Sequence, residues 1–174
     1  MTMLTLDEYL QNEPQYVQAV AGFMVRDDQI LLVLRKKVSN DLGANNYAGI
    51  GGKLEPGETN DECLVREIKE EIDIDITGYE KYGRARFINP ANPKWNMEGF
   101  FYLITEWEGT PTETEVIKPV WFDKDKIPFN QMFRDNKYWL PMLLENKHFE
   151  GVFLFGEDHE VKEMQINEVG RDKK

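Results

Sequence analysis

Gly51-Gly52-Lys53-Leu54-Glu55-Pro56-Gly57-Glu58 runs without a break into Thr59-Asn60-Asp61-Glu62-Cys63-Leu64-Val65-Arg66-Glu67-Ile68-Lys69-Glu70-Glu71, and this stretch organises the whole 174-residue chain. Thr59 and Glu62 make a capping box, so a glycine-rich turn feeds a helix that starts near Asn60. At about 100° per residue, Leu64, Val65, Ile68 and Ile72 share one arc, the stripe expected to face a core. Glu67, Glu70 and Glu71 fall in an adjacent arc. Their i,i+3 and i,i+4 spacings put neighbouring side chains roughly 5–6 Å apart at Cβ, where like charges destabilise a helix slightly. A hard divalent cation reverses that cost, because it takes carboxylate oxygens and fills its remaining positions with water and phosphate. Glu58 can add a fourth carboxylate, and Arg66 stands where its planar fork can hold a glutamate.

An acidic surface helix is the ordinary meaning of a glutamate-rich run. Here, however, Gly52, Glu58, Arg66, Glu67, Glu70 and Glu71 are six residue types at fixed spacing. With each type near 7% usage, the chance match is on the order of 10⁻⁷ per starting position, too small for an incidental charge pattern. The segment resembles the signature of the Nudix hydrolases, which use Mg²⁺ or Mn²⁺ to cleave nucleoside diphosphates linked to another group. The resemblance implies metal binding by Glu67, Glu70 and Glu71, with a backbone carbonyl near Gly51 as a further ligand. Where the family usually has glycine this chain has Asp73, at a helix end where a left-handed residue is common.

Composition sets the frame. The chain has the size of one domain, and 41% hydrophobic with 12% aromatic residues suits a globular protein. A formal charge of −11 argues against a nucleic-acid polymer as partner, but not against a small anionic substrate that brings its own magnesium. Arg35-Lys36-Lys37 is a local basic patch, fit either to meet phosphates or to keep a loop soluble. Cys63 is the only cysteine, so no internal disulfide is expected and it reads as packing. His148 and His159 are too few and too far apart to suggest zinc. The first 15 residues carry Asp7, Glu8 and Glu13 and have no apolar run, and no segment has the length of a membrane span. A cytoplasmic protein with no membrane partner is the expectation, and monomer or homodimer stays open.

Residues 1–15 read as an extension with a helical turn around Leu4 to Leu10, 16–170 as the Nudix domain, and 171–174 as a tail. Gln18 to Val25 and Gln29 to Leu34 suggest a hairpin, and Ser39 to Asn46 a loop. Strands are expected over Ile74 to Ile88, Glu98 to Trp107, Val120 to Phe122, Gly151 to Phe155 and Glu160 to Val169. A Pro- and Asn-rich loop joins the first two, and a second helix spans Lys137 to Asn146. Strands interrupted by two helices make an α+β fold, with a mixed sheet sandwiched between helices.

The C-terminal third is dense in aromatics, which is usually core. A flat base also needs apolar walls with a few polar groups at its edge, and Asp135 and Asn136, between Phe133 and Trp139, are the right types. This region is similar to the branch of the family that hydrolyses oxidised purine nucleoside triphosphates. That likeness implies that Phe133 and Trp139 wall the base, that Asp135 and Asn136 bond its edge, and that Arg35 lies on the pocket wall. The branch has a second aspartate where Asn136 stands and an asparagine where Ala48 stands. An Asp–Asn pair has a fixed donor amide and adapts less well to alternative base tautomers.

The reaction so implied is Mg²⁺-dependent release of a nucleoside monophosphate and pyrophosphate, with Glu71 or Glu70 taking a proton and Arg66 supporting them. Arg35 and Lys53 would offset phosphoryl charge, and Glu115 or Glu113 would add an acid to the metal set. Two rivals remain: a hydrolase of unmodified dNTPs or other nucleoside diphosphate derivatives, and a non-catalytic nucleotide-binding module. The module would be expected to have lost metal glutamates, and all are present.

Overall fold

The computed structural model describes residues 2–36 and 43–171. Its elements are α1 (Leu6–Gln11), β1 (Val17–Arg26), β2 (Gln29–Arg35), β3 (Tyr47–Ala48), β4 (Ile50–Lys53), α2 (Asn60–Ile72), β5 (Asp75–Ile88), β6 (Met97–Glu108), β7 (Ile117–Asp123), α3 (Asn136–Leu144), β8 (Phe149–Phe155) and β9 (Val161–Glu168). One sheet runs β3-β2-β1-β6-β5-β8-β9, with β7 paired to β2 and β4 paired to β1. It is mixed: β1 lies parallel to β6 and β5 parallel to β8, while the remaining ladders are antiparallel.

Side chains alternate across the sheet, and this divides the core into two layers. Val20 and Met24 of β1 join Leu64, Ile68 and Ile72 of α2 on one face, whereas Phe23 joins Trp139, Leu140 and Leu143 of α3 on the other. The expected α+β sandwich is therefore the observed one. Burying each of the large α2 side chains contributes about 1.5–3 kcal/mol, enough to hold the like-charged face of α2 in place. Val65 departs from the expected arc: it is exposed, and Cys63 is buried in its stead. The buried arc is thus turned toward the carboxylates, so that Glu67 and Glu71 lie within it and are only partly exposed.

One further correction concerns local structure. Gly51 and Gly52 are in a strand, β4, and the turn proper comes later, where the Glu58 amide donates to the Glu55 carbonyl. The first half of β1 pairs with β4 (Ala21 with Gly51, Val20 with Gly52) and only its last residues pair with β2. The extension, moreover, is packed onto the domain: Leu6 of α1 is buried against Ile88 and Leu154. The hairpin β1–β2 and the later strands fall within a few residues of expectation. Lys37, Ser39 to Leu42 of the expected loop, and all of the tail except Arg171 lie outside the described residues. Among the described residues no helix is long and apolar enough to cross a membrane.

Candidate active site

Helix α2 begins as its sequence dictates. Thr59 Oγ1 accepts from the Glu62 amide at 3.2 Å, and the Glu62 carboxylate accepts from the Thr59 amide at 2.8 Å. It ends at Asp73, in the left-handed region (φ 56°, ψ 45°), where glycine would be free of strain. Lys69 bridges Asp73 at 2.9 Å and Asp75 at 3.0 Å, fixing that end without a glycine. The other end of the site is set by close approach. A Cβ on Gly52 would lie 2.4 Å from Glu67 Oε1, and one on Gly51 would lie 1.8 Å from the Val20 carbonyl oxygen. Gly51 leaves no room for a side chain against the β1 backbone, and a side chain at Gly52 would displace the Glu67 carboxylate.

Arg66 organises the acidic groups. Its Nε and Nη2 donate to the two oxygens of Glu58 at 2.6 and 2.8 Å, while Nη1 reaches Glu67 Oε1 at 2.8 Å and Glu70 Oε2 at 3.3 Å. Glu58 Oε2 also accepts from the Glu55 amide, and these bonds hold the carboxyl down at about 2, with Arg66 the main cause. Glu58 is therefore a support for Arg66, with both of its oxygens engaged. Cys63 packs beneath, its thiol 3.6 Å from the Gly52 and Lys53 carbonyls and pushed up to about 12 by burial.

The three helix carboxylates differ in environment. Glu70 is well exposed and Glu67 nearly covered, at 59% and 14% side-chain exposure. Glu71 is pushed up to about 7, first by burial and then by the charges of Glu67 and Glu70, with Arg35 and the Gly51 amide acting in the opposite sense. Its Oε2 is buried without a hydrogen-bond partner. A buried acceptor of that kind is costly unless something pairs with it. Arg66 engages one oxygen each of Glu67 and Glu70 and leaves Glu67 Oε2 and Glu70 Oε1 outside that net. Among the described residues no group of three or more His, Cys, Asp or Glu side chains is placed to hold a metal ion. Mg²⁺ binds through one or two carboxylates and keeps water and phosphate as its other ligands. The donor set, all hard oxygen, fits such an ion.

Glu115 stands apart. It is exposed beside the turn in which the Thr114 amide donates to the Ile117 carbonyl, and it makes no bond to α2. Glu113 is spent on Lys36, at 2.6 Å. The basic patch therefore divides: Lys36 pairs with Glu113, while the charge of Arg35 favours the ionised form of Glu71.

A cleft of about 410 Å³ opens on the α3 face of the sheet, within the size range of small-molecule sites. Phe133, Asp135, Asn136 and Trp139 line it together, as the sequence predicts, with Ala48, Gly49 and Lys53 joining from the β3–β4 segment. Trp139 lies 4.1 Å centroid to centroid from Phe101 and donates through Nε1 to Asp135 Oδ2 at 2.7 Å. Asn136 Nδ2 donates to the Phe133 carbonyl at 3.1 Å. One oxygen of Asp135 and one amide N–H of Asn136 are thereby engaged within the protein. Burial pushes Asp135 up to about 6, against the pull of the Trp139 bond. Residues 48–53 join the two halves of the site: Ala48, Gly49 and Lys53 face the cleft while Gly51 and Gly52 touch Glu71 and Glu67. Arg35 lies by Gly43 and Phe133, close to the same junction.

The family model described as the NUDIX domain matches residues 15–143. The chain belongs to the Nudix family. This Nudix chain is 33% identical over 146 residues to the oxidized purine nucleoside triphosphate hydrolase of Danio rerio, covering 84% of this chain and 91% of that protein. It is 29% identical to the 8-oxo-dGTP diphosphatase of Haemophilus influenzae, covering 78% of this chain and 97% of that protein. The crystal structure of the MutT protein from Bacillus halodurans superposes with a TM-score of 0.75 at 22% identity, over 87% of this chain and 97% of that one, a likeness of fold. Like other Nudix hydrolases, it belongs to a group that generally uses divalent metal ions such as Mg²⁺.

Sequence reasoning missed part of the cleft. Asn89, Lys94 and Trp95 from the β5–β6 loop and His159 from the β8–β9 hairpin also line it. The available signal was a tryptophan in a loop of prolines and asparagines, where no core requires one.

Proposed function

We propose that this Nudix hydrolase converts oxidised purine nucleoside triphosphates to the nucleoside monophosphate and pyrophosphate, cleaning the nucleotide pool. The observation that carries the reading is the continuity of residues 48–53 between an aromatic cleft and the α2 carboxylates. A base in the cleft has its phosphates led past Lys53 and Arg35 to α2. The named activities of the Danio rerio and Haemophilus influenzae relatives support the same substrate class.

Glu67 Oε2 and Glu71 Oε2 are the oxygens that would hold Mg²⁺. The chemistry a bound Mg²⁺ supplies is neutralisation of phosphate charge and a more acidic water. Glu70, exposed and with Oε1 unengaged, accepts the proton from the attacking water; the bond between the α- and β-phosphates breaks and pyrophosphate leaves. Arg66 keeps Glu67 and Glu70 aimed, and its own charge is secured by Glu58. Lys53 and Arg35 offset charge on the phosphoryl oxygens. Asp135, with its second oxygen, and Asn136 bond the base edge, and Phe133 and Trp139 wall it. Residues 16–170 act as one unit, with α1 packed onto it.

The test is a panel of 8-oxo-dGTP, dGTP, dATP and dCTP with Mg²⁺, with phosphate products identified. Pyrophosphate released fastest from the oxidised purine is the expected result. Orthophosphate as the direct product would overturn the cleavage position, and equal rates across the panel would overturn the substrate class.

A further inference from the structure

Three of the large apolar side chains left exposed, Val17, Trp95 and Phe133, all line the same cleft. Trp95 is the largest and is 43% exposed. An exposed indole costs free energy in water, so its loop would be expected to hold it loosely. Instead the loop is tightly built. The Asn89 amide donates to Asn96 Oδ1 at 2.7 Å, Asn89 Nδ2 donates to the Trp95 carbonyl at 2.9 Å, and the Lys94 amide donates to Asn92 Oδ1 at 3.3 Å. Asn96, the centre of this net, is itself buried.

His159 supports the indole from a different element. Its ring centroid lies 5.9 Å from that of Trp95, at 46°. His159 sits at φ 61°, in the left-handed region that glycine would occupy without strain, in a hairpin closed by the Gly156 amide on the Glu160 carbonyl and the His159 amide on the Gly156 carbonyl. Strained residues of this kind persist where the surrounding structure imposes them and gather at functional sites. The two rings come in from the β5–β8 side of the sheet. Phe133, beside Arg35 of β2 across Gly43, comes in from the other.

We infer that Trp95, backed by His159, is a preformed stacking plate for the nucleobase, a specificity element that favours the larger purine ring. The inference rests on the reading that the cleft takes a base. Because the asparagine net fixes the backbone that carries Trp95 and His159 packs against its ring, less ordering is left for binding to supply, and the gain from stacking appears in affinity. Stacking grows with ring area, so a purine gains more than a pyrimidine.

The experiment measures binding of 8-oxo-dGMP, dGMP, dCMP and ribose 5-phosphate to the full chain by calorimetry without metal, which separates base recognition from catalysis. Trp95→Ala is expected to weaken the two purine monophosphates by about 5- to 150-fold, the range for loss of one base–aromatic stack. Trp95→Phe restores most of that, His159→Ala costs less than Trp95→Ala, and ribose 5-phosphate binds all variants alike. Purine binding within twofold of wild type in Trp95→Ala overturns the inference, as does an equal loss for ribose 5-phosphate. Failure of the wild type to release pyrophosphate would instead remove the proposed reaction and leave the stacking plate standing.

Discussion

Asp135 is kept buried at a cost, and that cost has a sign and a size. Its carboxyl rises from an ordinary 3.8 to about 6 because burial penalises the charged form more than the Trp139 bond favours it. The folded protein therefore holds a proton on Asp135 more tightly than the unfolded chain does. The resulting stability is fully present below about pH 3.8 and is lost as pH rises through about 6. At about 1.4 kcal/mol per pH unit the whole loss is about 3 kcal/mol, and about 2 kcal/mol of it falls between pH 4.5 and 7.5. Asp135→Asn keeps an oxygen to accept from Trp139 Nε1 but cannot ionise. Urea unfolding of both proteins across that range, with wild type minus variant as the readout, isolates the effect from other titrating groups. The difference should fall by about 2 kcal/mol with rising pH and level off above pH 7, leaving the variant the more stable at neutral pH and the poorer binder of 8-oxo-dGMP. A difference that stays flat, or rises with pH, would refute the assignment of a desolvated carboxyl at the base edge.

Four further outcomes are expected. Glu70→Gln should lower pyrophosphate release by about 10²- to 10⁴-fold with Mg²⁺ affinity retained, whereas Glu71→Gln should lose Mg²⁺ affinity as well; calorimetric titration of each variant with Mg²⁺ separates them. Arg66→Lys cannot bridge Glu58 through two nitrogens while reaching Glu67, and should cost about 10- to 100-fold in activity, read as kcat/KM with 8-oxo-dGTP. Gly52→Ala drives a methyl into the Glu67 carboxylate, so Mg²⁺ affinity should fall much further than the melting temperature. Leu6→Ala should reduce stability by about 2–4 kcal/mol in urea unfolding, since the first helix is part of the core.

The sequence carried α2, its cap and its carboxylates because those depend on spacing within one helix. The long strands were legible for the same reason, as alternation or continuous apolar runs are local signals. Strand β4 was not: Ile50-Gly51-Gly52-Lys53 has little β propensity of its own, and only the neighbouring β1 makes it a strand. The pairing of Glu58 with Arg66 was not legible because it needs the turn between them to close. Val65 misled because an apolar count ignores that Glu67 and Glu71 compete for the same buried arc. The pairing of Trp95 with His159 joins two distant loops, and nothing in either loop announces the other.

The central claim is that Glu67 and Glu71 grip a divalent cation against the phosphates of a purine nucleotide whose base lies in the cleft. Crystals soaked with Mn²⁺ and 8-oxo-dGMP test it through the anomalous signal of the metal. Density coordinated by Glu67 Oε2 and Glu71 Oε2, with the base against Phe133 and Trp139, is the predicted result. Manganese bound elsewhere, with those two oxygens facing only water, would contradict it.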